Sequence, residues 1–144
     1  MRPPIAEGVS TREMFFNTMK ADSDLVALLT NGVNGILPSK DLDPMKVAKP
    51  FVWLRFEGGG TLGTDGMDLG IWVIEAHDRP GYGLVKVDLI VARLKILFQH
   101  QTWPRPTASS ERPRMSYWAG ATGELPDNGF HTIKRIARIQ LVQS

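Results

Sequence analysis

The chain has 144 residues, 42% hydrophobic and 22% charged, with a net charge of +2 and no cysteine. That length fits one domain in which about 70% of the unfolded surface can be buried, so a core forms without covalent staples. The missing cysteines exclude disulfides and thiolate metal sites, the small net charge alone gives no case for nucleic acid, and no run approaches the ~20 apolar residues that span a bilayer.

The charge is unevenly distributed. Residues 1–80 hold 8 Lys/Arg against 11 Asp/Glu, a net of −3, whereas residues 81–144 hold 9 against 4, a net of +5. Such asymmetry serves head-to-tail contacts between copies, an anionic partner, or simply an uneven solvated surface. The opening Met1-Arg2-Pro3-Pro4 lacks the apolar stretch of a secretory signal, so cytosolic synthesis and a soluble product are expected.

Residues 1–9 carry Pro3, Pro4 and Gly8 and are expected to form an arm ahead of a domain over 10–144. Ser10-Thr11-Arg12-Glu13 reads as a capping box, followed by the apolar stripe Phe15, Phe16, Met19. Asp22 starts a second, short helix through Leu29, and Asn31-Gly32 ends it, because glycine accepts the left-handed conformation beyond a helix. Ile36-Leu37 reads as a short strand, and Lys40 to Lys49 as an exposed loop.

Phe51 to Phe56 is strand-like and apolar on both faces, so both faces need cover from helices, another sheet or another subunit. Glu57 to Asp68 holds five glycines and reads as a connection ending in a flexible hairpin tip; Leu69 to His77 returns as a strand. After the Asp78-Arg79-Pro80-Gly81 turn, Tyr82 to His100 has helical period, with Val87, Ile90 or Val91, Leu94, and Leu97 or Phe98 recurring at three- and four-residue steps. Gln101 to Arg114, with three prolines, is expected to be an exposed loop. Met115 to Gly120 reads as a strand, Leu125 to Gly129 as a turn with φ > 0 at Asn-Gly, and Phe130 to Val142 as a long alternating strand. The order predicts an α+β domain with an antiparallel or mixed sheet of four or five strands and helices mainly on one face.

No catalytic constellation emerges. The glycine run 58–66 lacks the Lys-Ser/Thr and the following helix that a phosphate loop needs. His77, His100 and His131 form no metal-ligand spacing, and His77 reads as a surface or edge histidine. Glu75 and Asp78 fall on opposite faces of a strand. No Gly-x-Ser-x-Gly elbow exists, so an enzyme is not expected, nor is any cofactor or metal. Lys134, Arg135 and Arg138 split across two faces of the last strand and are expected to meet acidic neighbours within or between subunits. Trp53 and Trp72 read as core. Trp103, beside prolines, either anchors an interface or folds back over its own domain.

Several pieces together resemble the tail terminator, or tail-completion, proteins of long-tailed bacteriophages. They are the helix and apolar turn of "MKADSDLVALLTNGVNGILP", the strand and glycines of "PFVWLRFEGGG", the strand–turn–helix of "LGIWVIEAHDRPGYGLVKVDLIVARLKILF", and the closing strand. The resemblance covers residues 10–142, apart from 101–114. It implies a structural virion protein of the tail or neck, made in the host cytoplasm. Its expected partners are itself, in a hexameric ring, the tail tube protein, and a head–tail connector or stopper. Genomic DNA would pass through the lumen without sequence-specific binding, and no membrane is involved. The contacts expected on this reading are Leu62 and Met67 at the hairpin, Trp103, Arg105 and Arg112 in the proline-rich stretch, Arg135 and Arg138 on the last strand, and the 1–9 arm. Two alternatives stay open: a neighbouring connector or stopper protein, and, in a different class, a small binding module or cryptic enzyme with a concave polar pocket.

Overall fold

A computed structural model of the chain describes residues 10–37, 47–62, 68–81, 85–104 and 113–143. The expected 1–9 arm, the loop over 40–46, Met67 at the hairpin tip, the helix start at Tyr82, and Arg105 and Arg112 lie outside the described residues.

Helix α1 (Thr11–Lys20) starts at its predicted cap, where the Ser10 hydroxyl accepts from the Glu13 N–H at 3.2 Å. Asp22 caps α2 (Ser23–Val26) by accepting from the Leu25 N–H at 3.0 Å. The same carboxylate takes two hydrogen bonds of 2.7 Å from Arg93, which ties this cap to a third helix. Gly32 has φ +57, the left-handed turn foreseen for it, and opens a short 3₁₀ segment, Gly32–Gly35.

The strands are β1 (Ile36–Leu37), β2 (Phe51–Leu62), β3 (Asp68–Asp78), β4 (Gln101–Trp103), β5 (Arg114–Ala121), β6 (Leu125–Asp127) and β7 (Thr132–Gln143). They form one mixed sheet in the order β1-β2-β3-β7-β5-β4, with β6 also paired to β7. β1 runs parallel to β2 and every other pairing is antiparallel. The α+β class and mixed sheet match expectation. The expected four or five strands undercount, because β1, β4 and β6 have only two or three residues each, too few to show a period.

Two further expectations give way here. The glycines after Phe56 do not end the strand, since β2 pairs with β3 as far as Leu62↔Asp68. Between the pairs Phe56↔Trp72 and Gly58↔Ile71 a bulge leaves Glu57 unpaired in the ladder, and Gly58 completes it at φ +92, a conformation that a side chain would resist. In the Leu125–Gly129 region the left-handed residue is His131, at φ 54, rather than Asn128 or Gly129. Asp127 closes that turn by accepting from the Phe130 N–H at 2.9 Å, and the positive φ falls two residues beyond Gly129.

The main core joins Met14, Phe15 and Met19 of α1 with Val87, Ile90, Leu94 and Phe98 of α3 (Val85–Phe98). Against them lie Val52 and Leu54 of β2, Trp72, Ile74 and Ala76 of β3, and Ala137, Ile139 and Leu141 of β7. These sheet residues alternate along their strands, as a single face requires. Residues of the other parity, Leu37 and Phe51, form a second cluster with Phe130. No helix among the described residues is long and apolar enough to cross a membrane.

Candidate functional site

On the sheet face that carries the second cluster, alternation along β3 places Glu75 and His77 side by side. Glu75 lies opposite Trp53 and Ile136, and His77 opposite Phe51 and Lys134. Short β6 brings Asp127 against Thr132. Side chains from four strands therefore converge around one carboxylate.

Glu75 is 2% exposed and His77 is fully buried. Arg55 Nε donates to Glu75 Oε2 at 2.9 Å. His77 Nε2 lies 3.0 Å from Oε1, and Lys134 Nζ lies 3.3 Å from the same oxygen. Lys134 also donates to Asp127 Oδ2 at 3.0 Å. His77 Nδ1 and the Thr132 hydroxyl share a hydrogen bond of 2.7 Å. An ionised Glu75 only accepts, so Nε2 carries the proton between them. The imidazole stacks on Phe51 with centroids 4.6 Å apart and meets Phe130 edge-on at 5.2 Å.

Burial pushes the Glu75 carboxyl up, but hydrogen bonds from His77 and Arg55, with the Lys134 charge, outweigh it and hold the group down at about 2. Burial likewise opposes ionisation of Asp127. Hydrogen bonds from the Phe130 N–H and Lys134 overcome it, and this carboxyl also lies below its usual value. Lys134 is raised in turn: its loss of hydration is outweighed by Asp127 and Glu75.

Glu75, His77 and Asp127 each offer a ligand atom, all within 4.8 Å of one another, which suits a metal ion in outline. The residues do not fit one. The Lys134 ammonium bonds both carboxylates and takes the position a cation would need. Nor does Glu75 suit a general base, with both oxygens occupied by donors and its proton affinity held low. Among the described residues no buried side-chain nitrogen or oxygen lacks a partner. The cluster is a closed network that fixes the register of β2, β3, β6 and β7.

His77 is therefore not a surface or edge histidine, because β3 lies inside the sheet, between β2 and β7. The sequence signal for the pair is the i, i+2 spacing of Glu75 and His77, which places two side chains on one face of a strand. Lys134 and Asp127 join only through the fold. Glu75 and Asp78 do point to opposite faces, as the alternation implies.

Of the expected contact residues, Leu62, Trp103, Arg135 and Arg138 are described, and these four do not converge. Leu62 ends β2, paired with Asp68. Arg135 donates to the Thr122 carbonyl at 2.8 Å and to Asp88 at 2.9 Å. Arg138, on the opposite face, reaches Glu57 at 3.3 Å. Trp103 is fully buried rather than presented to a neighbour. Its Nε1–H donates to Ser116 Oγ at 2.8 Å, and it packs on Phe98 with centroids 5.7 Å apart. The proline-rich stretch begins as β4, which carries the indole inward.

Arg114 had no sequence signal. Its guanidinium is buried, donates to the Pro104 carbonyl at 3.1 and 2.8 Å, and is pushed down to about 10 by desolvation. It clamps the two ends of the 105–112 stretch. No family model, curated protein or solved structure matches the chain.

Proposed function

We propose that the chain is a structural, non-enzymatic virion protein. It assembles with copies of itself, as a hexamer, into a ring at the head-proximal end of a phage tail tube. There it ends tube growth and joins the tail to the head connector or stopper, and the genome passes through the lumen. The reading rests on the family resemblance in the sequence. The observation that supports it best is the β2–β3 ladder. β7 pairs with β3 only as far as Gly70, whereas β2 and β3 stay paired out to Leu62↔Asp68. At that end β7 runs on to Gln143 paired only with β5, so β2 and β3 form a ladder of their own, a feature suited to meeting an adjoining subunit or the tube.

Two other features agree with it. The buried polar cluster is closed and leaves the chain no evident reactive centre among the described residues. The charges of −3 over residues 1–80 and +5 over 81–144 suit head-to-tail contacts, in which one patch meets a different patch on the next copy. In this reading the helices cover mainly one face of the sheet and leave the remaining surface to neighbours. Native mass spectrometry and negative-stain imaging test it. A ring of about six copies with a lumen wide enough for duplex DNA, capping purified tail tubes, is expected. A monomer at every salt and protein concentration, with and without tube, overturns it.

A further inference from the structure

Helix α3 is apolar on two opposite sides. Val87, Ile90, Val91, Leu94 and Phe98 are buried against the sheet. At 100° per residue, Val85, Leu89, Ala92 and Ile96 fall on one line about 180° away from that face. Val85 is 67% exposed, Leu89 49% and Ile96 61%, and Ala92 is exposed with them. Single exposed apolar residues are ordinary, but four in a 4-3-4 spacing make the seam of a helix pair.

We propose that this outer face of α3 packs, antiparallel and about a two-fold axis, on the same face of a second copy of this chain. The seam itself is the first argument. The spacing 4-3-4 reads the same in both directions, as a two-fold contact requires. An axis passing between Leu89 and Ala92 sets Leu89 against the partner's Ala92, and Val85 against the partner's Ile96. The large side chain thus meets the small one at the centre.

The flanks are the second argument. A two-fold axis keeps each flank facing its own copy. On one flank Asp88 meets the partner's Lys95, twice over, and both residues are exposed. On the other flank Lys86 meets the group formed by Arg93, Asp22 and Asp24, in which Arg93 lies 2.7 Å from Asp22 and 3.6 Å from Asp24. That group carries two negative charges and one positive, so it attracts Lys86. Asp88 also bonds Arg135 within its own chain at 2.9 Å, which fixes the carboxylate on this flank.

A helix of 14 residues is roughly 21 Å long. One pair of that length falls among interfaces below ~1,200 Å², where association is weak. The contact is independent of the ring reading, since it can pair two single chains or two rings.

Sedimentation equilibrium across a wide concentration range tests it, with circular dichroism to check folding. Leu89 and Lys95 are exposed, so their replacement spares the core. The wild-type chain, or its ring, is expected to pair reversibly. Leu89→Glu should lower the pairing constant more than about tenfold. Lys95→Asp should lower it at least about threefold, while Lys95→Arg leaves it unchanged. Absence of any pairing in the wild type overturns the proposal. So does a pairing constant that Leu89→Glu does not move, or one that Lys95→Asp and Lys95→Arg share.

Discussion

At Glu75, burial alone would favour the neutral acid, yet Arg55, His77 and Lys134 keep it ionised. A carboxyl held lower in the fold than in the unfolded chain stabilises the fold above its unfolded value. That stability is lost as pH falls toward the folded value. For Glu75 the window runs from 4.5 down to about 2. The shift corresponds to about 3 kcal/mol. Glu75→Gln should therefore lower stability at neutral pH by about 2–4 kcal/mol, with Lys134 and Arg55 left short of a partner. It should also flatten the acid dependence inside that window. Urea unfolding at several pH values checks this, and an unchanged slope between pH 4.5 and 3 in the variant would remove Glu75 as the cause. Asp22 and Asp127, also held low, contribute a residual loss of the same sign.

Among the elements, the joint between α3, β4 and β5 rests on Trp103. Its indole N–H bonds Ser116, whose hydroxyl donates to the Phe98 carbonyl at 2.7 Å and so satisfies the end of the helix. His100, at φ 51, then turns the chain out of the helix. Trp103→Phe keeps most of the packing and should cost about 1 kcal/mol. Trp103→Ala opens a cavity and should cost about 3–5 kcal/mol. Chemical denaturation of the two variants separates these effects, and equal losses would contradict the packing role. Capping by Ser10 and Asp22, the turn at Gly32, the face of α3 and the alternation of β7 were all legible, because each is a relation between residues a few steps apart. β4 was hidden by its three-residue length and the prolines after it. The Glu75 cluster was hidden for another reason: Lys134 and Asp127 lie more than 50 residues from Glu75 along the chain, and only sheet order brings them together. Trp103 was half legible, since the residue type announced a burial without saying in which chain.

For the molecule as a whole, two surfaces are proposed for self-contact, the far end of the β2–β3 ladder in the ring reading and the outer side of α3 in the two-fold pairing. They lie on different elements, so either contact can be disabled without the other. Sheet order adds a consequence for synthesis. β7 is the last strand in chain order, yet it sits between β3 and β5 and also carries β6. Until it arrives, the β1-β2-β3 half and the β5-β4 half share no ladder, and two of the residues that neutralise or brace Glu75 and His77, Lys134 and Thr132, are missing. A chain stopped before Thr132 should show no cooperative unfolding transition by calorimetry. A cooperative transition in that truncated chain would mean that the halves cohere without the strand. The growing polypeptide thus cannot close its sheet until β7 has left the ribosome's exit tunnel.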